Sequence, residues 1–367
     1  MINTLIPDKM GSYKEDDVIF LLRDISKYII ETKTEERESF IQGGRHYSEM
    51  LPIEYQPNEE YVSLFHKSLN EYAHRIAVAA GVVAEQIVKL KDLDHLVLVS
   101  LARAGTPIGV LIKRYIKQKY GIDVPHYSIS IIRGRGIDEV AIDYIFSLHK
   151  DAQIQFIDGW TGKGAITQEL ENSCIQYNLT HSLSIDSSLA VLADPGHCVS
   201  IYGTREDFLI PSACLNSTVS GLVSRTVLNY DFMEKDDFHG AKFYKELYDI
   251  DLSNVYVDTI SGEFPFINEE VELELSNKQE EKEPLWTGLH SVKAIQEKFN
   301  IASSHFVKPG VGETTRVLLR RVPWKILINP NFENDLTHLL ILAKERNVSI
   351  EEYTDMSYSC CGIIKEL

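Results

Sequence analysis

The chain has 367 residues, 44% of them hydrophobic and 25% charged, which is more apolar material than one core organises and excludes a disordered or fibrous protein. A formal charge of −17 argues against broad, sequence-blind attraction to nucleic acid or to an anionic membrane. No apolar run approaches the ~18 residues needed to cross a bilayer, and the start, MINTLIPDKMGSYKEDD, lacks a basic segment leading into an apolar one, so a cytoplasmic protein with no membrane partner is expected.

In chain order, residues 1–70 read as a mostly helical extension, interrupted at GGRHYSEMLPIEYQP. There His46, Tyr47 and Glu49 form a polar cluster that either caps a cleft or serves as a structural loop. Residues 71–261 read as the main α/β domain. An apolar strand follows His95, and Thr106 and Pro107 stand where an N-cap and a first helical residue belong; the helix runs to Gly121. A strand from His126, the loop RGRGID and a helix with Ala141, Tyr144, Ile145 and Leu148 on one face come next. His126, at a strand start, is expected to satisfy a backbone carbonyl. A third strand, IQFID, leads through a glycine-rich turn into another helix, and SSLAVLADP follows. This rhythm predicts a parallel sheet with helices on both faces and a site beyond the C-terminal ends of its strands.

The stretch FIDGWTGKGAIT carries the most chemistry. Gly159, Gly162 and Gly164 let backbone amides converge at a helix start, where a phosphate can be held, and Thr161 and Lys163 would add a hydroxyl and a point charge. An apolar strand, an acid and T-G-x-x-x-x-T resemble the phosphoribosyl pyrophosphate loop of phosphoribosyltransferases. The resemblance implies that Asp158 binds the ribose and the Mg²⁺, and that Gly159, Trp160, Thr161, Gly162, Lys163 and Gly164 cradle the 5-phosphate. That family usually has a second acid where Gly159 stands. SLARAGTPIG resembles the pyrophosphate loop of the same family, which implies that Arg103, Ala104 and Gly105 meet the leaving group. By the same resemblance HYSISIIRGRGID is a mobile lid that closes Arg133 and Arg135 over pyrophosphate.

Five cysteines, Cys174, Cys198, Cys214, Cys360 and Cys361, are odd in number and without C-x-x-C spacing, so reduced thiols are expected. A histidine and a cysteine sharing a cleft can form a nucleophilic pair, and His197, Cys198 and Cys214 all fall in residues 194–226. From GSYKEDDVIFLL through GGRHYSEMLPIEY, LVSLARAGTPIG and FIDGWTGKGAIT to PSACLNSTVSGLVSRT, nearly the whole chain resembles the StiP family. That family is associated with tellurium-resistance and stress-response gene clusters, has been labelled cysteine protease and has been grouped with phosphoribosyltransferases. If the protease label holds, Cys214 is the expected nucleophile and His197 its base.

Residues 262–284 hold eight glutamates against two lysines and read as an acidic connector, partly strand and partly disordered. Residues 285–367 carry ten basic against nine acidic residues and alternate helix and strand as a separate small unit. Its turn Gly310-x-Gly312-Glu313-Thr314 resembles the Pelota and kink-turn-binding fold, which implies RNA recognition; Gly312 replaces the usual asparagine, and Glu313 and Arg316 match. Lys308, Arg316, Arg320, Arg321 and Lys325 cluster there against one acid, as RNA backbone binding requires, although a solvated helix face would look the same. Cys360 and Cys361 are expected to be buried strand residues.

The expected fold is therefore a phosphoribosyltransferase-like α/β domain, with a helical extension before it and a Pelota-like α/β domain after it. The expected activity is Mg²⁺-dependent transfer of ribose 5-phosphate to a base or nucleotide-like acceptor, on or near RNA. The alternatives are a cysteine protease and a sugar-phosphate sensor without turnover, and a homo-oligomer is left open.

Overall fold

The computed structural model describes residues 5–33, 40, 43–54, 56–181, 184–278 and 283–365. Its principal sheet is built from β1 (Ile19–Phe20), β2 (Leu96–Ala102), β3 (His126–Ile132), β5 (Gln153–Trp160), β6 (Leu189–Ala193) and β7 (Ile201–Thr204), with β4 (Gly136–Ile137) folded back on β3. The order β1-β3-β2-β5-β6-β7 is parallel throughout, and only β4 runs antiparallel. Four long helices flank the strands: α1 (Glu59–Leu90), α2 (Thr106–Tyr120), α3 (Glu139–Leu148) and α4 (Ala165–His181).

The pleat of β2 explains why its sequence is a continuous apolar run. Leu96 and Leu98 enter one core with Val83 and Ile87 of α1 and Ile112 of α2. Val97, Val99 and Leu101 enter the other with Ile142 of α3 and Leu170 of α4. A parallel strand covered on both faces has no solvent side to mark with polar residues. Gly121 ends α2 in the left-handed region at φ 70°, as expected. Thr106 is the first helical residue rather than the N-cap; it is buried, with its hydroxyl 2.8 Å from that of Ser128. His126 satisfies the carbonyl of Asp17 through Nδ1 at 2.8 Å, as expected.

Two local expectations fail. Before Glu59 the described residues are mostly irregular rather than helical. Two-residue strands pair Arg23–Asp24 with Gly240–Ala241 and Glu31–Thr32 with Leu51–Pro52, and α1, capped by Asn58 onto the amide of Tyr61, then runs from 59 to 90. Glycines and prolines at Gly43, Gly44, Pro52 and Pro57 break up the segment just before α1. In the acidic connector, α5 (Ser253–Ser261) is followed by α6 (Asn268–Asn277), a helix and not a strand. Its glutamates Glu269 and Glu270 suit a helix N-terminus, its Val271 is fully buried, and His74 of α1 bonds Glu263 at 3.0 Å and Glu270 at 2.8 Å.

The C-terminal unit comprises α7 (Thr287–Lys298), β8 (Val307–Pro309), α8 (Val311–Arg320), β9 (Pro323–Ile328), α9 (Thr337–Glu345), β10 (Ser349–Glu352) and β11 (Cys360–Ile364). Its sheet order is β8-β11-β9-β10, with β11 antiparallel to both neighbours and β9 parallel to β10. Cys360 and Cys361 are buried strand residues, as read. Among the described residues no helix is long and apolar enough to cross a membrane.

Candidate active site

The C-terminal ends of β2, β5 and β7 deliver Ala104, Asp158 and the segment Phe208–Ala213 to one place. The C-terminal domain closes over them with Gly312, Glu313 and Arg316, leaving a cavity of about 190 Å³. Its walls are mostly apolar: Ala104, Trp160, Phe208, Ile210 and Ala213. Asp158 sits partly buried in that wall. Burial pushes its carboxyl up to about 7, offset only by the amide of Gly159 at 2.7 Å. Glu313, by contrast, is ion-paired to Arg316 at 3.0 Å. The cleft therefore holds one carboxyl poised near neutrality beside one whose charge is matched.

The turn after Asp158 faces a neighbouring cavity of about 260 Å³, lined by Thr161, Gly162, Lys163 and Gly164 from one side and by His305, Val307 and Lys308 from the other. Trp160 and Glu313 line both spaces. Asp158 and the glycine turn thus open onto adjoining cavities, not onto one pocket. The turn is also partly engaged inside the protein. Thr161 donates its amide to Ala193 at 3.1 Å and its hydroxyl to Asp194, and Lys163 donates to the carbonyl of Ser304 at 3.0 Å. Glycine is required at Gly162, where a Cβ would lie 2.5 Å from the Trp160 ring.

Other expected ligand residues have structural duties. Arg103 reaches Glu54 at 3.1 Å and the carbonyl of Val223 at 3.0 Å, so it anchors the 217–223 segment. Glu54 also accepts the amide of Ser217 at 2.8 Å. At Gly105 a Cβ would lie 2.4 Å from the carbonyl of Ile157, so this glycine serves close packing. The RGRG loop is fastened and not lid-like: Gly134 and Gly136 donate to Glu169, at 2.8 and 3.0 Å, and Arg135 pairs with Glu49 at 2.9 Å. Tyr47 accepts the amide of Arg133 at 2.9 Å, so the His46–Glu49 cluster is the structural loop.

All five cysteines are buried, and none is in a disulfide. Burial holds the thiols of Cys174, Cys198 and Cys361 up at about 12, and that of Cys360 is also raised by burial. Cys198 donates to the carbonyls of Gly162 and Gly196, at 3.4 Å each, and so props the glycine turn. His197 adopts φ 50° on the same bend, and its carbonyl accepts the amide of Trp286 at 2.9 Å. Cys214 ends the 3-10 turn Pro211–Cys214 on a different element. Its neighbour Ala213 lines the cleft, whereas His197 lines neither cavity.

The turn expected to read RNA bases docks instead on the α/β domain. A Cβ at Gly310, which has φ 83°, would strike the Trp160 ring at 2.5 Å, and one at Gly312 would press Ala213 at 3.0 Å. Thr314 is fully buried, and Arg316 donates to the carbonyl of Ala213 at 3.0 Å. Lys325 is tied to Glu351 at 2.6 Å, Arg321 is exposed, and the side chain of Arg320 lies outside the described residues.

Sequence reasoning passed over the polar hubs that hold this arrangement. Asp194 collects Thr161, Arg205 and the amides of Cys198 and Val199. Asp207, buried, accepts the amides of Val311 and Ser359, each at 2.9 Å, and so joins the two domains. Asp194 closes an apolar strand just as Asp158 does, which was the available signal. Replacing Asp207 by alanine strips both amides of their acceptor, so urea unfolding should show a loss of about 3 kcal/mol, accompanied by faster proteolysis between residues 262 and 286. Unchanged stability and cleavage would show that Asp207 does not hold the domains together.

Two family models divide the chain between them. Residues 11–261 match one described as "Tellurite-like stress resistance cysteine protease StiP", and residues 286–366 match the PELOTA RNA binding domain. A protein of Acinetobacter baylyi named "Cysteine protease StiP" is 34% identical over 351 residues, covering 91% of this chain and 88% of that protein. The chain belongs to the StiP family. The family description and the relative's name overturn the expected ribose 5-phosphate transfer, since both denote a cysteine protease and neither a glycosyltransferase. The geometry agrees: Arg103 is taken up by Glu54 and the carbonyl of Val223, Gly105 is sealed in packing, and Asp158 lines a different cavity from residues 161–164. Among the described residues no three His, Cys, Asp or Glu side chains converge as metal ligands.

Proposed function

We propose that the chain is a thiol peptidase of the cytoplasm, acting in stress resistance, whose nucleophile is Cys214 and whose proton carrier is Asp158. The observation that carries the reading is that the turn Pro211–Cys214 contributes Ala213 to the wall of the cleft that Asp158 also lines. Cys198 is built into the support of the glycine turn, Cys360 and Cys361 lie in β11, and Cys174 packs inside α4.

In this reading the Cys214 thiol gives its proton to the Asp158 carboxylate while sulfur bonds the scissile carbonyl carbon. The peptide amine leaves with that proton, and water then cleaves the thioester, restoring the thiol. A carboxyl titrating near 7 is a better base than an ordinary aspartate and still reprotonates a leaving amine. The apolar lining of the 190 Å³ cavity suits one uncharged substrate side chain.

Cys214 is fully buried, and the C-terminal domain clamps its neighbour Ala213 through Arg316 and Gly312. Substrate access therefore requires the clamp to loosen. Treatment with a peptidyl chloromethyl ketone, followed by peptide mass mapping, should place the label on Cys214, with faster labelling in Arg316→Ala. Labelling confined to another cysteine of an active preparation would remove Cys214 from the reaction.

A further inference from the structure

The second cavity has a character that peptide cleavage does not explain. Arg133 from the loop after β3, Lys163 from the glycine turn, and His305 and Lys308 from the C-terminal domain all line it, with Glu313 as the one carboxylate. These groups are close enough to repel one another. Burial, then Lys308 and Arg133, hold the Lys163 ammonium down at about 8. Burial lowers Lys308 as well, opposed by Glu313 and reinforced by Arg321 and Arg133, and His305 is lowered by burial and by Lys163, Arg133 and Lys308. Gathering like charges in a partly buried seam is unfavourable unless an anion occupies it, and the chain as a whole carries −17. The start of α4 at Ala165 and the glycine turn add amide donors on the same side.

We propose that this seam is a phosphate-ester site that takes the backbone of an RNA strand, gripped by Arg133 and Lys163 of the α/β domain together with His305 and Lys308. RNA is preferred to a free nucleotide on three observations. The C-terminal half of the seam belongs to a segment matching an RNA-binding domain; Arg321 carries positive charge outward from Lys308 onto the exposed surface; and an aromatic residue, Trp160, lines the cavity. The consequence is that RNA would be read across both domains, and its binding would press on the element that carries Asp158. This site does not depend on Cys214 being a nucleophile.

The test uses the full chain and a fluorescein-labelled hairpin RNA with an unpaired loop, titrated by anisotropy at salt concentrations from roughly 50 to 200 mM. Arg133→Gln and Lys163→Gln should each weaken binding by about tenfold at low salt and flatten the dependence of log affinity on log salt by about one unit. Lys308→Gln should do the same. Because Lys163 also bonds the carbonyl of Ser304, Arg133→Gln, at an exposed side chain, is the variant least able to disturb the docking. If both α/β-domain variants keep parental affinity and slope while Lys308→Gln loses them, the C-terminal domain binds alone and the proposal is wrong. If AMP or inorganic phosphate binds in a way that Arg133→Gln abolishes while the hairpin does not bind, the seam serves a small phosphate ester and the RNA assignment falls.

Discussion

Cys214→Ala is expected to reduce kcat/KM on a quenched fluorescent peptide library by roughly a thousandfold or more, because it removes the thiol that forms the acyl intermediate in the proposed reaction. The substitution deletes one buried sulfur and leaves a small void, so its cost in stability should stay near about 1 kcal/mol and the protein should remain folded. Cys198→Ala is the informative companion. Its thiol touches the carbonyls of Gly162 and Gly196 beneath the glycine turn, so losing it should soften the turn yet leave turnover within a few fold. Equal activity in Cys214→Ala and the parent would end the assignment, and loss in Cys198→Ala alone would transfer it to the bend that also carries His197.

Most of the architecture was legible in the sequence because burial on both faces writes itself as unbroken apolar runs. The mostly apolar segments LVLVS from Leu96 and IQFID from Ile154 read as strands, their alternation with helices predicts a parallel sheet, and Gly121 marks the end of α2 through its left-handed φ. The site was harder to read, because what decides it is which partners meet from distant parts of the chain. Nothing near Arg103 in sequence announces that Glu54 and Val223 will occupy its guanidinium, and nothing near Gly312 announces Ala213. A glycine in a loop looks the same whether it makes room for a phosphate or for a neighbouring wall. Gly105 and Gly310 proved to be of the second kind, while the basic residues Arg133, Lys163 and Lys308 do converge, though across two domains. Acids following strands were the signal with the most unused content. Asp158 faces the cleft, and Asp194 and Asp207 are the hubs on which the closed arrangement is built.

Asp158→Asn should raise stability and abolish turnover at the same time. The carboxyl of Asp158 has an ordinary value near 3.8 but titrates at about 7 in the folded protein, so the folded state binds this proton more tightly than the unfolded chain. Stability that is fully present below the unfolded value is lost as pH rises towards 7, and at pH 8 the folded protein carries an unfavourable buried charge. Removing it with a neutral side chain of the same shape should add roughly 3 kcal/mol at pH 8, and less than about 1 kcal/mol near pH 4, where the folded carboxyl holds its proton and the unfolded one is only partly ionised. Urea unfolding at the two pH values measures this directly. A residue that merely fills the wall would lose stability and activity together on substitution, and would do so at either pH. Opposite signs, confined to the higher pH, are the mark of a group held in an unfavourable state for the sake of a proton transfer. Destabilisation by Asp158→Asn at pH 8 would mean that the carboxylate is compensated by its surroundings, and the acid–base role would have to pass to another group.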